Sequence, residues 1–77
     1  MTRPALTARE QRVLEVIRSW VAGHGYPPSL REIVYQAELS STSVARSHLL
    51  GLQRKGYLEV VPERARAIRI LPAQEAS

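Results

Sequence analysis

The apolar residues of this chain repeat with one period up to Gly56 and with another after it. Before Gly56 they recur every three or four positions, the spacing of a helix face. After it they alternate, the spacing of a strand face. A chain written this way folds as helices first and a β-hairpin last. Strong punctuation divides the helical part. "TARE", Thr7 to Glu10, is a capping box: the Thr7 hydroxyl accepts from the Glu10 amide, and Glu10 reaches back to the Thr7 amide. Val13, Leu14, Ile17, Trp20 and Val21 follow as an apolar stripe. The stripe stops at "GHG", where Gly23 and Gly25 suit a left-handed C-terminal cap.

"YPPS" comes next. Its two prolines hold the chain extended, so a brief strand is expected at Tyr26. Ser29 opens a second capping box, "SLRE", and a short helix from Leu30 to about Ala37 turns Ile33 and Ala37 inward. "ELS" interrupts it, and Ser40 or Ser41 caps a third helix. That helix is expected to run to Lys55, with Ala45, Leu49 and Leu52 inward and Gly56 ending it. "YLEVV" and "AIRIL" read as paired strands, Leu58 and Val60 on one face of the first, Ile68 and Ile70 on one face of the second. Pro62, Glu63, Arg64, Ala65 and Arg66 make a basic tip between them. Two helices across a tight turn form a helix-turn-helix, and the hairpin is its wing. The expected fold is mostly α with a small antiparallel hairpin, a winged helix-turn-helix over residues 6–71 with flexible ends at 1–5 and 72–77.

Composition narrows the chemistry. With 77 residues the chain is one small domain, or a piece of something larger. It has no cysteine, and His24 and His48 are far apart without neighbouring ligands, so no metal site, cofactor or small-molecule ligand is expected. No run of about 18 apolar residues exists to span a membrane, and the N-terminus lacks a signal-peptide core. A cytoplasmic, nucleoid-associated protein is expected. Eleven Lys and Arg face seven Glu, for a net charge of +4. Residues 1–40 hold five Arg against four Glu, whereas residues 41–71 hold six cations against two Glu. Ten of the eleven cations are arginine, whose rigid fork grips phosphates and guanine edges. Composition leaves a solvated basic surface and a nucleic-acid surface equally open.

The third helix carries the candidates for recognition. With Ala45, Leu49 and Leu52 inward, Ser41, Thr42, Ser43, Val44, Arg46 and Ser47 face outward near its start. Small hydroxyl residues let a backbone approach base edges, Val44 suits a thymine methyl, and Arg46 is the one long reader, suited to guanine. The plainer account of Ser40 to Ser43 is cap material, and one of them serves as the cap. Thr42 is assigned to the DNA backbone instead. Arg31, in the first turn of the second helix, suits a phosphate. Arg54 and Lys55 either complement the negative end of the third helix or contact phosphate. Arg64 and Arg66 suit the backbone or a minor groove. Thr7 and Arg9 are weaker phosphate candidates. His48 has no carboxylate or cysteine at useful spacing and is read as a structural or DNA-facing side chain. Trp20, Tyr26, Tyr35 and Tyr57 are read as core or rim packing. No catalytic residue is assigned.

"LTARE" with "VLEVI", "GYPPSLREI", "LSSTSVARSHL", and "LQRKGYLE" with "RAIRI" together make the chain similar to the N-terminal DNA-binding domain of LexA-type repressors, the regulators of the bacterial SOS response. The resemblance covers about Leu6 to Leu71. It implies base contacts at Ser41, Ser43, Val44, Arg46 and Ser47. The family usually has glycine in the turn where this chain has Glu38, and a non-glycine residue there costs roughly 1–2 kcal/mol if the turn is left-handed. Gly51, in the middle of a helix, costs about 1 kcal/mol relative to alanine. LexA-type repressors also carry a second domain that dimerises and cuts the chain with a serine–lysine pair. Nothing in this sequence matches that domain, and its only lysine is Lys55. Self-cleavage is therefore not expected of it.

The expected function is sequence-specific binding of double-stranded DNA for transcriptional regulation, by repression of LexA-type operators. The third helix would read a half-site while the wing clamps the flank, and a homodimer would form on a palindromic operator. Two other readings compete: a stand-alone domain that competes with a full-length repressor, and a winged helix that docks onto a protein.

Overall fold

The computed structural model describes residues 5–61 and 68–71. Three helices, α1 (Ala8–His24), α2 (Leu30–Ala37) and α3 (Thr42–Arg54), precede two short strands, β1 (Leu58–Val60) and β2 (Ile68–Ile70). The strands pair antiparallel with Leu58 opposite Ile70, Glu59 opposite Arg69 and Val60 opposite Ile68. This is a winged helix-turn-helix. The expected wing tip at 62–66 and, apart from Ala5, the expected flexible ends at 1–5 and 72–77 lie outside the described residues.

Each helix begins and ends for a visible reason. Both capping boxes form. Thr7 Oγ1 accepts from the Glu10 amide at 3.1 Å while Glu10 Oε1 accepts from the Thr7 amide at 3.0 Å. Ser29 and Glu32 repeat the arrangement at the start of α2, at 3.2 and 2.7 Å. The third helix is capped by Ser41, whose Oγ accepts from the Val44 amide at 3.3 Å. At the far end of α1, Gly25 takes φ 82° and its amide donates to the Val21 carbonyl. Gly56 takes φ 86° after α3, the Gly56 amide bonds the Gln53 carbonyl and the Tyr57 amide bonds the Leu52 carbonyl. That is the Schellman closure, which satisfies the last carbonyls of a helix.

Two expectations fail at this level. No strand forms at Tyr26. Residues 25–29 have no strand partner among the described residues, and Tyr26 instead packs its ring against Trp20 and His24. The third helix stops at Arg54, one residue early, because Lys55 at φ −87° and ψ 0° is already turning toward Gly56.

The core joins all five elements. Val13, Leu14 and Ile17 of α1 meet Ile33 and Ala37 of α2, Ala45, Leu49 and Leu52 of α3, and Leu58 and Ile68 of the hairpin. Burying each large side chain contributes about 1.5–3 kcal/mol. Val60 and Ile70 lie half-buried on the edge of the same cluster, as strand alternation requires. The α2–α3 turn, residues 38–41, places Glu38 in the left-handed region at φ 57°, ψ 46°. Arg12 of α1 supports that turn from outside: its Nε donates to the Ala37 carbonyl at 3.3 Å, and a guanidinium nitrogen lies 3.9 Å from the Glu38 carboxylate.

Candidate nucleic-acid interface

The exposed face of α3 follows from how the helix is held. Ala45, Leu49 and Leu52 are buried against α1 and α2, so the opposite side of the helix faces outward. Ser43, Arg46, Ser47, Gln53 and Arg54 are all exposed on it. The helix carries no carboxylate, and neither Arg46 nor Arg54 pairs with one among the described residues. The face is therefore mainly hydroxyls and guanidinium groups, with exposed Leu50 among them and the positive end of the helix dipole at its start. Arg31 and Thr42 line one shallow cleft beside it, together with Tyr35 and Trp20.

Several expected site residues have other work in the free protein. The Ser41 hydroxyl is the N-cap acceptor, and the Thr7 hydroxyl is held in its capping box. Val44, expected to face outward, is half-buried. Lys55 is expected as a phosphate contact or a complement to the helix end. Its ammonium instead reaches back across the fold, donating to Glu10 Oε1 at 2.6 Å and to the Ala5 carbonyl at 3.1 Å. Arg64 and Arg66 lie outside the described residues.

The Lys55 contact explains a residue that sequence reasoning left as a cost. Glu10 is a buried carboxylate, 8% exposed, lodged between the start of α1 and the last turns of α3. Its Oε2 occupies the space where a side chain on Gly51 would stand. Glycine is thus needed for close approach, and α3 accepts the helical penalty to admit the carboxylate. The Lys55 hydrogen bond chiefly, then the Thr7 amide, holds the Glu10 carboxyl below its ordinary range, against burial, which pushes the other way. A charge this buried is tolerable only when paired and hydrogen-bonded, and here it is both. The sequence signal was present: Gly51 and Lys55 stand one helical turn apart, on the line facing α1.

Other predicted placements divide. His48 is half-buried, with Nε2 buried and without a hydrogen-bond partner among the described residues. Trp20 is half-buried and stacks on His24 with ring centroids 4.0 Å apart. Tyr57 is half-buried against the core. Tyr35, read as core or rim, is 82% exposed, because its place on α2 is opposite Ile33 and Ala37. No group of three or more metal-ligating side chains is assembled among the described residues. No described helix is long and apolar enough to cross a membrane.

A two-helix reader with its second helix exposed, cationic and carboxylate-free, followed by a hairpin wing, defines a DNA-binding domain of the winged helix-turn-helix class. A family model described as the LexA DNA binding domain matches residues 3–67, and the chain belongs to that family. It is 49% identical over 71 residues to the LexA repressor of Acidothermus cellulolyticus, covering 92% of this chain and 26% of that one. With the LexA repressor of Mycobacterium tuberculosis it shares 47% identity over 73 residues, covering 95% and 31%. LexA repressor 2 of Nocardia farcinica is 49% identical over 71 residues, covering 92% and 29%. The chain spans less than a third of the length of these curated relatives.

Proposed function

We propose that the chain binds double-stranded DNA in a sequence-specific way and represses transcription by occluding the site it covers. The observation that carries this reading is the outward face of α3, which carries no carboxylate and presents hydroxyls with arginines that pair with no carboxylate among the described residues. In this reading α3 lies in the major groove. Arg46 grips a guanine edge in bidentate fashion, worth about 1–3 kcal/mol of discrimination. Ser43 and Ser47 take base-edge hydrogen bonds. Ser41 and Val44 approach the bases from the first turn, Ser41 with its hydroxyl already engaged by the Val44 amide.

Arg31, Thr42, Arg54 and the wing residues Arg64 and Arg66 serve the phosphates, which set register and affinity rather than sequence. Thr7 belongs with them through its hydroxyl, which accepts from the Glu10 amide and keeps its own proton to donate to a phosphate. Lys55 serves the fold through Glu10 instead of the DNA. One domain has one reading helix, so a monomer binds weakly. Two domains on the half-sites of a palindromic operator gain about 10²–10⁴ in avidity once linked as a homodimer. The protein acts in the cytoplasm, at the nucleoid, by binding and without catalysis.

The test is a fluorescence titration with a palindromic operator and a scrambled duplex, at two salt concentrations. Tighter binding to the operator is expected, and equal affinity for both duplexes refutes sequence-specific regulation. Arg46→Ala is expected to relax base preference. Arg66→Ala should weaken binding to every duplex and reduce the salt slope by about 1. Failure to bind at low salt would favour docking onto a protein.

A further inference from the structure

We propose that Leu50 is a second sequence-reading residue, which recognises the methyl group of a thymine in the major groove. The inference rests on the placement of α3 in the groove and extends it to a residue that neither the hydroxyl run nor the arginines point to. Ser43, Ser47, Leu50 and Arg54 stand at i, i+4, i+7 and i+11, one straight line along the helix. All four are exposed, and the line runs opposite Ala45, Leu49 and Leu52. Leu50 is 40% exposed and is not among the partly buried side chains packed against the core.

A lone exposed leucine is ordinary on a protein surface. What sets this one apart is its row: a hydroxyl stands one turn before it and a guanidinium one turn after. On the major-groove edge of B-DNA the thymine C5-methyl is the apolar group, and a branched aliphatic side chain is its natural partner. Val44 suits that role by residue type. However, it is half-buried and sits about 100° around the helix from Ser43, off the line. Leu50 lies about 10 Å beyond Ser43 along the helix axis, equivalent to about three base-pair steps. With Ser43 near the first base pair, Leu50 meets a thymine about three pairs further on, and Arg54 follows at the phosphates.

The test starts from duplexes selected by the wild-type chain out of a random library. Each thymine of the selected site is replaced in turn by deoxyuridine, which removes only the C5-methyl. Wild type should lose about fourfold in affinity at one position, the value of one buried methylene-sized group. Leu50→Ala should bind the selected duplex about fourfold more weakly and be indifferent to deoxyuridine at that position. Alanine on an exposed helical position keeps the fold, which circular dichroism confirms.

Three outcomes overturn the proposal: no thymine methyl matters to wild type, Leu50→Ala keeps the full methyl sensitivity, or Val44→Ala loses that sensitivity in its place. If selection yields no sequence preference at all, the groove-reading placement of α3 falls with it. If preference is selected and depends on Arg46, while Leu50→Ala responds to deoxyuridine as wild type does, only the Leu50 assignment falls.

Discussion

Gly51→Ala is the substitution on which general rules and this structure disagree. In a helix interior, glycine to alanine stabilises by about 1 kcal/mol. Here the new Cβ would overlap Oε2 of Glu10 and lie 3.5 Å from its Cδ. The overlapped atom is the end of a side chain, but not a free one. Oε1 of the same carboxylate holds the Thr7 amide at 3.0 Å and the Lys55 ammonium at 2.6 Å. Moving the carboxylate aside stretches both bonds in a site that is mostly buried, and a hydrogen bond to a charged group contributes about 1.5–3 kcal/mol. The loss outweighs the helical gain, so a net destabilisation of about 1 kcal/mol is expected, lowering Tm by about 4–8 °C. Urea denaturation followed by far-UV circular dichroism measures it. In a Glu10→Ala background the obstacle is gone, and Gly51→Ala should stabilise by about 1 kcal/mol. The reasoning is refuted if Gly51→Ala stabilises the wild-type chain, or if its effect is the same in both backgrounds.

Three further outcomes are expected. Because the Glu10 carboxyl is held below its ordinary value of 4.5, its contribution to stability is fully present above about pH 4.5 and is lost as pH falls through the lowered value. Glu10→Gln should therefore be less stable than wild type at pH 7 and nearly equal to it in strong acid; an equal gap at both pH values contradicts the ion-pair account. Glu38→Gly should stabilise by about 1 kcal/mol, since the residue sits at φ 57° and its 3.9 Å contact with Arg12 is exposed and weak, which thermal denaturation reads directly. Ser41→Ala should cost about 1 kcal/mol of stability without DNA through loss of the cap, while Ser43→Ala changes it by less than about 0.5 kcal/mol.

The parts of the fold that were legible are those decided by near neighbours. Thr7 with Glu10, and Ser29 with Glu32, announce helix starts because both partners of each capping box lie within four residues. Gly25 and Gly56 announce helix ends because glycine takes freely the left-handed conformation that closes many helices. Glu38 was marked only by the glycine the resembling family usually has in that turn, and it does take the left-handed region at φ 57°. Tyr26 misled because two prolines enforce an extended chain but supply no partner strand, and its ring had Trp20 and His24 to pack against. Lys55 hid its ion pair for the opposite reason. Its partner Glu10 is 45 residues away, and only the packing of α1 on α3 brings them together. The exposed face of α3 was legible where helical period and residue type agreed, as at Ser43 and Arg46, which both stand outside. Leu50 was passed over because an apolar residue in a helix invites assignment to the core, although its position opposite Leu52 places it outside.

The join between α3 and the hairpin has a mechanical meaning. Gln53 Oε1 holds the Val60 amide at 2.6 Å, the Tyr57 amide is bonded to the Leu52 carbonyl, and the Leu71 amide to the Tyr57 carbonyl. Leu58 sits in the same core as Leu49 and Leu52. Helix and hairpin are thus the two jaws of a caliper whose gap is set by the fold, with no slack residue between them. On the proposed placement of α3 in the groove, such a tool would gauge the duplex as well as read it: where groove and flank are not spaced to suit, seating one jaw would lift the other.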